Sequence, residues 1–279
     1  MPRPPLPPPV PFAAVPPVTL ESVTAHGGVL AAGDERVRFR RWGGTDAGGP
    51  PRPIVVLVPI LAGGEDLLDG VARRLVDHGF DVAACERAGA ALRPPQRALE
   101  LDDLFARTVR HQRILLQWLR SAPPPPATFV LGLSMGGMVA AVVAAAEPSL
   151  DGVAICLSGA DLGGLVVRSS EPRVRRWVEW RRSEDGIGDG ELTWELRQYL
   201  RYEPLAFAAA VAAPKVLFVG AALDTVVPPR HQDLLWEALG RPGRLTVALG
   251  HYTAAAAIDP ILGAAAAHFR ACAPAAAAP

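Results

Sequence analysis

Phe129-Val-Leu-Gly-Leu-Ser134-Met-Gly-Gly137 runs without a break into Met138-Val-Ala-Ala-Val-Val-Ala-Ala-Ala146, and this stretch decides the fold. Residues 129–133 are apolar and bounded by turn-forming residues, as in a strand buried on both faces. Residues 135–146 are small and apolar, and they predict a helix packed tightly against a sheet. Between them stands Gly132-x-Ser134-x-Gly136. A serine in so short a strand-to-helix turn projects from the end of the sheet with its hydroxyl exposed. Glycine two residues either side removes side chains for which the turn has no room. The helix behind it turns its unpaired N–H groups toward the point where an oxyanion would form.

The same pattern repeats outward along the chain. Apolar runs at 54–60, 80–84, 152–157, 216–220 and 245–248 predict further strands, and helical periodicity appears at 66–78, 101–119, 231–239 and 251–269. Residues 18–24 and 36–42 alternate apolar with polar and are punctuated by Gly27-Gly28 and Gly43-Gly44, as in an antiparallel pair of edge strands. Strands alternating with helices imply right-handed crossovers and a mostly parallel sheet. The expected fold is therefore α/β, with eight strands flanked by helices. Between 165 and 211 the alternation is lost, which predicts a small helical lid inserted after the sixth strand. Residues 1–17 are proline-rich and read as a disordered, extended arm, residues 18–270 as one domain, and residues 271–279 as a flexible tail.

Composition excludes several classes. Basic and acidic residues number 28 each, so no net field draws the chain to nucleic acid or to an anionic membrane. Lys215 is the single lysine. No apolar run reaches the length of a bilayer span, and prolines break every candidate secretory h-region, so a cytoplasmic location is expected. Three cysteines, Cys85, Cys156 and Cys272, form no disulfide framework and no metal-ligand spacing. Cys85 and Cys156 read as small buried hydrophobes. No metal and no organic cofactor is expected.

A serine hydroxyl needs a base within hydrogen-bond reach, and that base needs a carboxylate to orient it. Val216-Leu-Phe-Val-Gly220-Ala-Ala-Leu-Asp224-Thr-Val-Val-Pro228 carries an aspartate after a strand, and Leu245-Thr-Val-Ala-Leu-Gly250-His251 carries a histidine after the next. In these three segments the chain resembles the α/β-hydrolase superfamily, and the resemblance extends over residues 18–269. It implies Ser134 as nucleophile, Asp224 as acid and His251 as base, in the family's chain order. One residue more than in the family pattern separates Gly220 from Asp224. Asp161, after the sixth strand, is a rival acid. The resemblance also implies an oxyanion hole built from the N–H of Met135 and one from the loop Pro59-Ile60-Leu61-Ala62-Gly63-Gly64. Leu61 is the first candidate by position and Ile60 the second, although Pro59 and Ile60 replace the family's usual His-Gly.

In the lid, Trp177, Trp180, Trp194, Tyr199, Tyr202 and Phe207 either wall an acyl pocket or form the lid's own packing. The arginines between Arg173 and Arg182 either meet an anionic substrate or solvate a helix face. The expected activity is hydrolysis of a carboxylic ester, or a related acyl bond, of a small-molecule substrate through an acyl-enzyme. Acyl transfer and cleavage of thioesters, amides or peptides use the same machinery, and a non-catalytic binding protein on the same fold is the contrasting class. Either a monomer or a homodimer fits.

Overall fold

A computed structural model describes residues 8–24, 26–44, 50–60, 65–121 and 123–274. Among these residues is a nine-stranded sheet, β1 (Val18–Thr24), β2 (Gly27–Ala32), β3 (Glu35–Trp42), β4 (Ile54–Val58), β5 (Asp81–Cys85), β6 (Thr128–Leu133), β7 (Gly152–Cys156), β8 (Val216–Ala221) and β9 (Gly243–Val247). Their spatial order is β1-β2-β3-β5-β4-β6-β7-β8-β9. The first three strands form an antiparallel meander joined antiparallel to β5, and every pairing from β5 to β9 is parallel. The parallel strands β4, β5 and β7 are buried at every residue, as the apolar runs require.

The sheet has one strand more than the eight expected. The segments at 18–24 and 36–42 do not pair with each other, because β2 lies between them. Gly27 and Gly28, which read as turn residues, lie inside β2. A Cβ on Gly27 would stand 2.0 Å from the Phe39 carbonyl oxygen, and one on Gly28 2.3 Å from that of Ser22. The glycines permit close strand approach beside the bulge between Leu20 and Ser22 rather than ending a strand.

Helices cover both faces. On one side α1 (Glu65–Asp77) and α9 (Ile258–Cys272) bury Val71, Leu75, Ile261 and Phe269 against the sheet. Phe269 stacks on Phe129 with ring centroids 4.6 Å apart, and Phe80 meets both rings edge-on. Each such buried ring contributes about 2–3 kcal/mol. On the other side α2 (Ala98–Leu119), α3 (Met135–Ala146) and α8 (Pro229–Ala238) contribute Ile114, Leu115, Val139, Val143 and Leu235. Between β7 and β8 the chain forms a helical insertion, α4 (Leu162–Arg168), α5 (Pro172–Asp185), α6 (Asp189–Tyr199) and α7 (Pro204–Phe207). It has its own core around Trp177, Leu192 and Leu196, continuous with Leu101 of α2 and Met138 of α3.

The described part of the proline-rich arm, residues 8–17, lies against α2 and α7. Phe12 stands 5.0 Å from the ring of Phe207, and Arg113 and Gln117 donate to the carbonyls of Ala13 and Pro16. Among the described residues no helix is long and apolar enough to cross a membrane.

The chain order reverses at β4, which has β5 on one side and β6 on the other. At such a switch point the loops leaving the carboxyl ends of adjacent strands diverge to opposite faces and leave a crevice. The loop after β4 and the turn after β6 border it.

Candidate active site

Ser134 occupies that crevice. It has φ 54° and ψ −126°, a left-handed conformation unusual for a residue with a Cβ. Such a conformation costs about 1–3 kcal/mol and persists only where its surroundings enforce it. Here they do. The Ser134 N–H donates to the Cys156 carbonyl at 2.8 Å, and its own carbonyl accepts from Gly137 N–H at 3.0 Å and from the Ser158 hydroxyl at 2.7 Å. A Cβ on Gly132 would stand 2.1 Å from the Gly136 carbonyl oxygen, and one on Gly136 2.6 Å from that of Val58. Both glycines of the motif are therefore obligatory. Gly132→Ala is expected to cost about 3 kcal/mol or more. A thermal melt should show it as a loss on the order of 10 °C or as insoluble protein, whereas Gly263→Ala, in open space on α9, should not lower the melt and should raise it slightly.

Asp224 lies in the loop after β8 and His251 in the turn after β9, ahead of a 3₁₀ segment (Thr253–Ala257). His251 thus precedes the last helical stretch rather than opening a helix at 251. Parallel pairing sets Ala221 of β8 beside Val247 of β9, so the two loops leave the sheet together. Leu223 N–H donates to the Leu249 carbonyl and ties them. His251 Nδ1 lies 2.7 Å from Asp224 Oδ2, and His251 Nε2 lies 3.0 Å from Ser134 Oγ. The Asp224 side chain is fully buried, and its Oδ1 accepts the N–H groups of Val226 and Val227, each at 2.8 Å. With its proton on Nδ1 toward the carboxylate, the imidazole presents Nε2 as an acceptor for the serine hydroxyl.

The structure does not bring Asp161 into this chain of contacts. Asp161 takes both guanidinium bonds of Arg197 at 2.8 Å and caps α4. His231 is buried, with Nδ1 2.8 Å from the Ala160 carbonyl, and burial lowers its pKa. Met135 is the first residue of α3, so its N–H has no acceptor within the helix. Leu61, the other expected oxyanion donor, lies outside the described residues. Ile60, its alternative, lines the cavity at Ser134.

That cavity has a volume of about 190 Å³. Leu101 and Phe105 of α2, Met138 of α3, and Leu162, Leu165 and Val174 of the insertion contribute to its wall. Polar groups enter it at Ser134, His251, Tyr252, Ser169 and Glu171. So apolar a wall around the Ser134 hydroxyl suits a ligand with a hydrocarbon portion.

A family model described as serine aminopeptidase, S33, matches residues 49–183. No curated protein matches the chain in sequence. Among solved structures, the esterase from Pyrococcus furiosus superposes with a TM-score of 0.62 at 12% identity, covering 92% of this chain and 99% of that one. Acetyl xylan esterase 1 from Thermoanaerobacterium gives 0.61 at 16%, covering 90% and 88%. The 2,6-dihydroxy-pseudo-oxynicotine hydrolase gives 0.61 at 18%, covering 84% of this chain and 63% of the longer one. Both the family model and the superpositions fall on one superfamily. The chain has the α/β-hydrolase fold.

In this fold none of the insertion's aromatic residues lines the cavity, and Trp177, Tyr202 and Phe207 are packing. Trp177 is fully buried and donates its indole N–H to the Gln96 carbonyl at 2.9 Å. Tyr202 and Phe207 stack on each other, and Phe207 also meets Phe12. Trp194 and Tyr199 are exposed. The wall is aliphatic instead, from Leu162, Leu165, Val166, Val174 and Leu200. Cys85 and Cys156 are buried thiols, and burial raises both pKa values, that of Cys156 to about 12. Among the described residues no cluster of His, Cys, Asp and Glu is placed to hold a metal.

Sequence reasoning missed two supporting residues. Ser158 bonds the carbonyls of Ser134 and Cys156, and a Cβ on Gly137 would strike its Oγ at 2.0 Å. Glu203 is a buried carboxylate that accepts N–H bonds from Asp161 and Leu162 and anchors the start of the insertion. Burial raises its pKa, against the N–H bonds that favour its charge. Neither lies in a motif. A serine or glutamate near a strand end has no pattern of its own, and only the backbone it meets reveals it.

Proposed function

We propose that this protein of α/β-hydrolase fold cleaves a carboxylic ester, or a related acyl bond, of a small apolar-chain substrate through a Ser134–His251–Asp224 triad. The observation that carries the reading is the continuous contact from Asp224 Oδ2 through His251 to Ser134 Oγ, at 2.7 and 3.0 Å, opening on an apolar cavity. Ser134 Oγ attacks the carbonyl carbon while His251 Nε2 takes its proton. The carboxylate of Asp224 steadies the imidazolium. The Met135 N–H receives the developing oxyanion, with a second donor supplied from the loop after β4, at Leu61 or Ile60. As the intermediate collapses, His251 gives the proton to the leaving oxygen and the alcohol departs. Water, deprotonated by His251, attacks the acyl-enzyme, and the acid is released as Ser134 regains its proton.

The insertion acts as a lid whose aliphatic underside receives the acyl chain. A panel of p-nitrophenyl esters of increasing chain length tests this. Met138 stands one helical turn after Ser134 and lines the cavity. Met138→Trp should lower kcat/KM for long-chain esters at least about tenfold relative to acetate. An unchanged chain-length profile would remove the acyl chain from this cavity.

A further inference from the structure

Behind the wall of the catalytic cavity lies a second groove, of about 340 Å³, lined by Arg168, Arg175 and Arg182 with Glu179 as the carboxylate among its lining residues. Val166 and Ser169 line both spaces, so the segment joining α4 to α5 separates the acyl cavity from a cationic surface by the thickness of one strand of chain. That segment is tied to the acid loop: Ser170 N–H donates to the Thr225 carbonyl at 3.0 Å, and the two hydroxyls lie 2.7 Å apart. The groove is therefore held in fixed relation to Asp224 and His251.

The three arginines are not equally committed. Arg182 is bonded to Asp189. Arg175 lies 4.0 Å from Glu179 with both side chains largely exposed, and Arg168 donates to the Gly164 carbonyl, at 3.3 Å. Arg230, at the start of α8, lies near Arg168 and near Asp161: burial, and then Arg168, lower its pKa, and Asp161 raises it. The guanidiniums of Arg168, Arg175 and Arg182 outnumber the carboxylates Glu179 and Asp189 that pair with them. Such an excess favours a multiply charged oxyanion, and phosphate suits their planar donor geometry.

We propose that the substrate is a thioester whose acyl chain fills the apolar cavity and whose thiol leaving group carries phosphate, bound by Arg168 and Arg175. This rests on Ser134 being acylated as described above. Ser134 Oγ attacks the thioester carbonyl, the C–S bond breaks, and His251 delivers its proton to the departing sulfur. Water then cleaves the acyl-enzyme, yielding a carboxylic acid and the free thiol.

The test compares hexanoyl-coenzyme A with S-hexanoyl-N-acetylcysteamine, which has the same acyl chain and thioester but no phosphate. Wild type should favour the phosphorylated thioester by at least about tenfold in kcat/KM, and raising the salt from about 0.05 M to about 0.5 M should erode that preference. The doubly substituted Arg168→Ala/Arg175→Ala enzyme should lose most of the preference. Because the two rates are compared within one preparation, a loss of folded protein cancels. Calorimetry with coenzyme A and the Ser134→Ala protein reads binding without turnover, and binding should vanish when both arginines are also replaced. A ratio near one in an enzyme that turns over p-nitrophenyl esters, a ratio unmoved by the arginine substitutions, or no binding of coenzyme A would overturn the proposal. Loss of p-nitrophenyl ester turnover and of serine labelling would instead sink the hydrolytic reading, and calorimetry would still decide the anion site.

Discussion

Ser134→Ala abolishes covalent labelling by a fluorophosphonate probe and lowers kcat by at least about 10⁴-fold toward any ester the wild type turns over. The expectation follows from the geometry of one atom. Ser134 Oγ, the proposed nucleophile, lies 3.0 Å from His251 Nε2, and the turn that holds it is braced through its own backbone by Cys156, Gly137 and the Ser158 hydroxyl. Removing the hydroxyl leaves those braces in place, so the variant should fold, melt near the wild-type temperature and retain the apolar cavity. Intact mass spectrometry after probe treatment gives a single adduct on wild type and none on the variant. Labelling that survives in Ser134→Ala would move the reactive residue elsewhere. Absence of labelling in folded wild type would favour a protein that binds in this cavity without turnover.

Asp224→Asn should lower kcat by about 10⁴-fold at neutral pH while leaving KM within a few-fold. The side chain is fully buried, with one oxygen on the N–H groups of Val226 and Val227 and the other on His251. An asparagine can keep the two backbone bonds through its carbonyl, but its NH₂ group then faces Nδ1. The imidazole answers by placing its proton on Nε2, toward Ser134, and the base is lost. Asp161→Asn is the matched comparison. Asp161 binds Arg197 and caps α4, so its substitution should lower the melting temperature and leave kcat within a few-fold. A large fall in kcat for Asp161→Asn with little for Asp224→Asn would reverse the assignment of the acid.

Much of the parallel sheet was legible because strands buried on both faces must be apolar along their whole length. Residues 54–60, 129–133 and 216–220 read as strands without knowledge of their neighbours, and the strands there are Ile54–Val58, Thr128–Leu133 and Val216–Ala221. The meander was less legible. Gly27 and Gly28 have the composition of a turn, and their place inside β2 follows from how closely Phe39 and Ser22 approach them. The insertion was readable as helical and aromatic, but not which of its faces met the cavity. Trp177 and Tyr202 satisfied the periodicity of a wall as well as that of a core, and packing chose the core.

The sequence by itself determined the elbow at Ser134. The steric demand for glycine at 132 and 136 is local, and it shows as Gly-x-Ser-x-Gly between an apolar strand and a small-residue helix. It also determined the candidates at Asp224 and His251, because each follows a strand of readable composition. Only the tertiary structure decided that these three side chains meet. Residues 134, 224 and 251 are far apart in sequence, and their contact depends on the order β6-β7-β8-β9, in which parallel pairing delivers the carboxyl ends of four strands to one edge of the sheet. Only the fold set Ser158 under the nucleophile, turned Asp161 to Arg197, and placed an arginine groove against the outer side of the cavity wall. Such relations arise between segments that do not adjoin in the chain, and no short-range pattern of residue types encodes them.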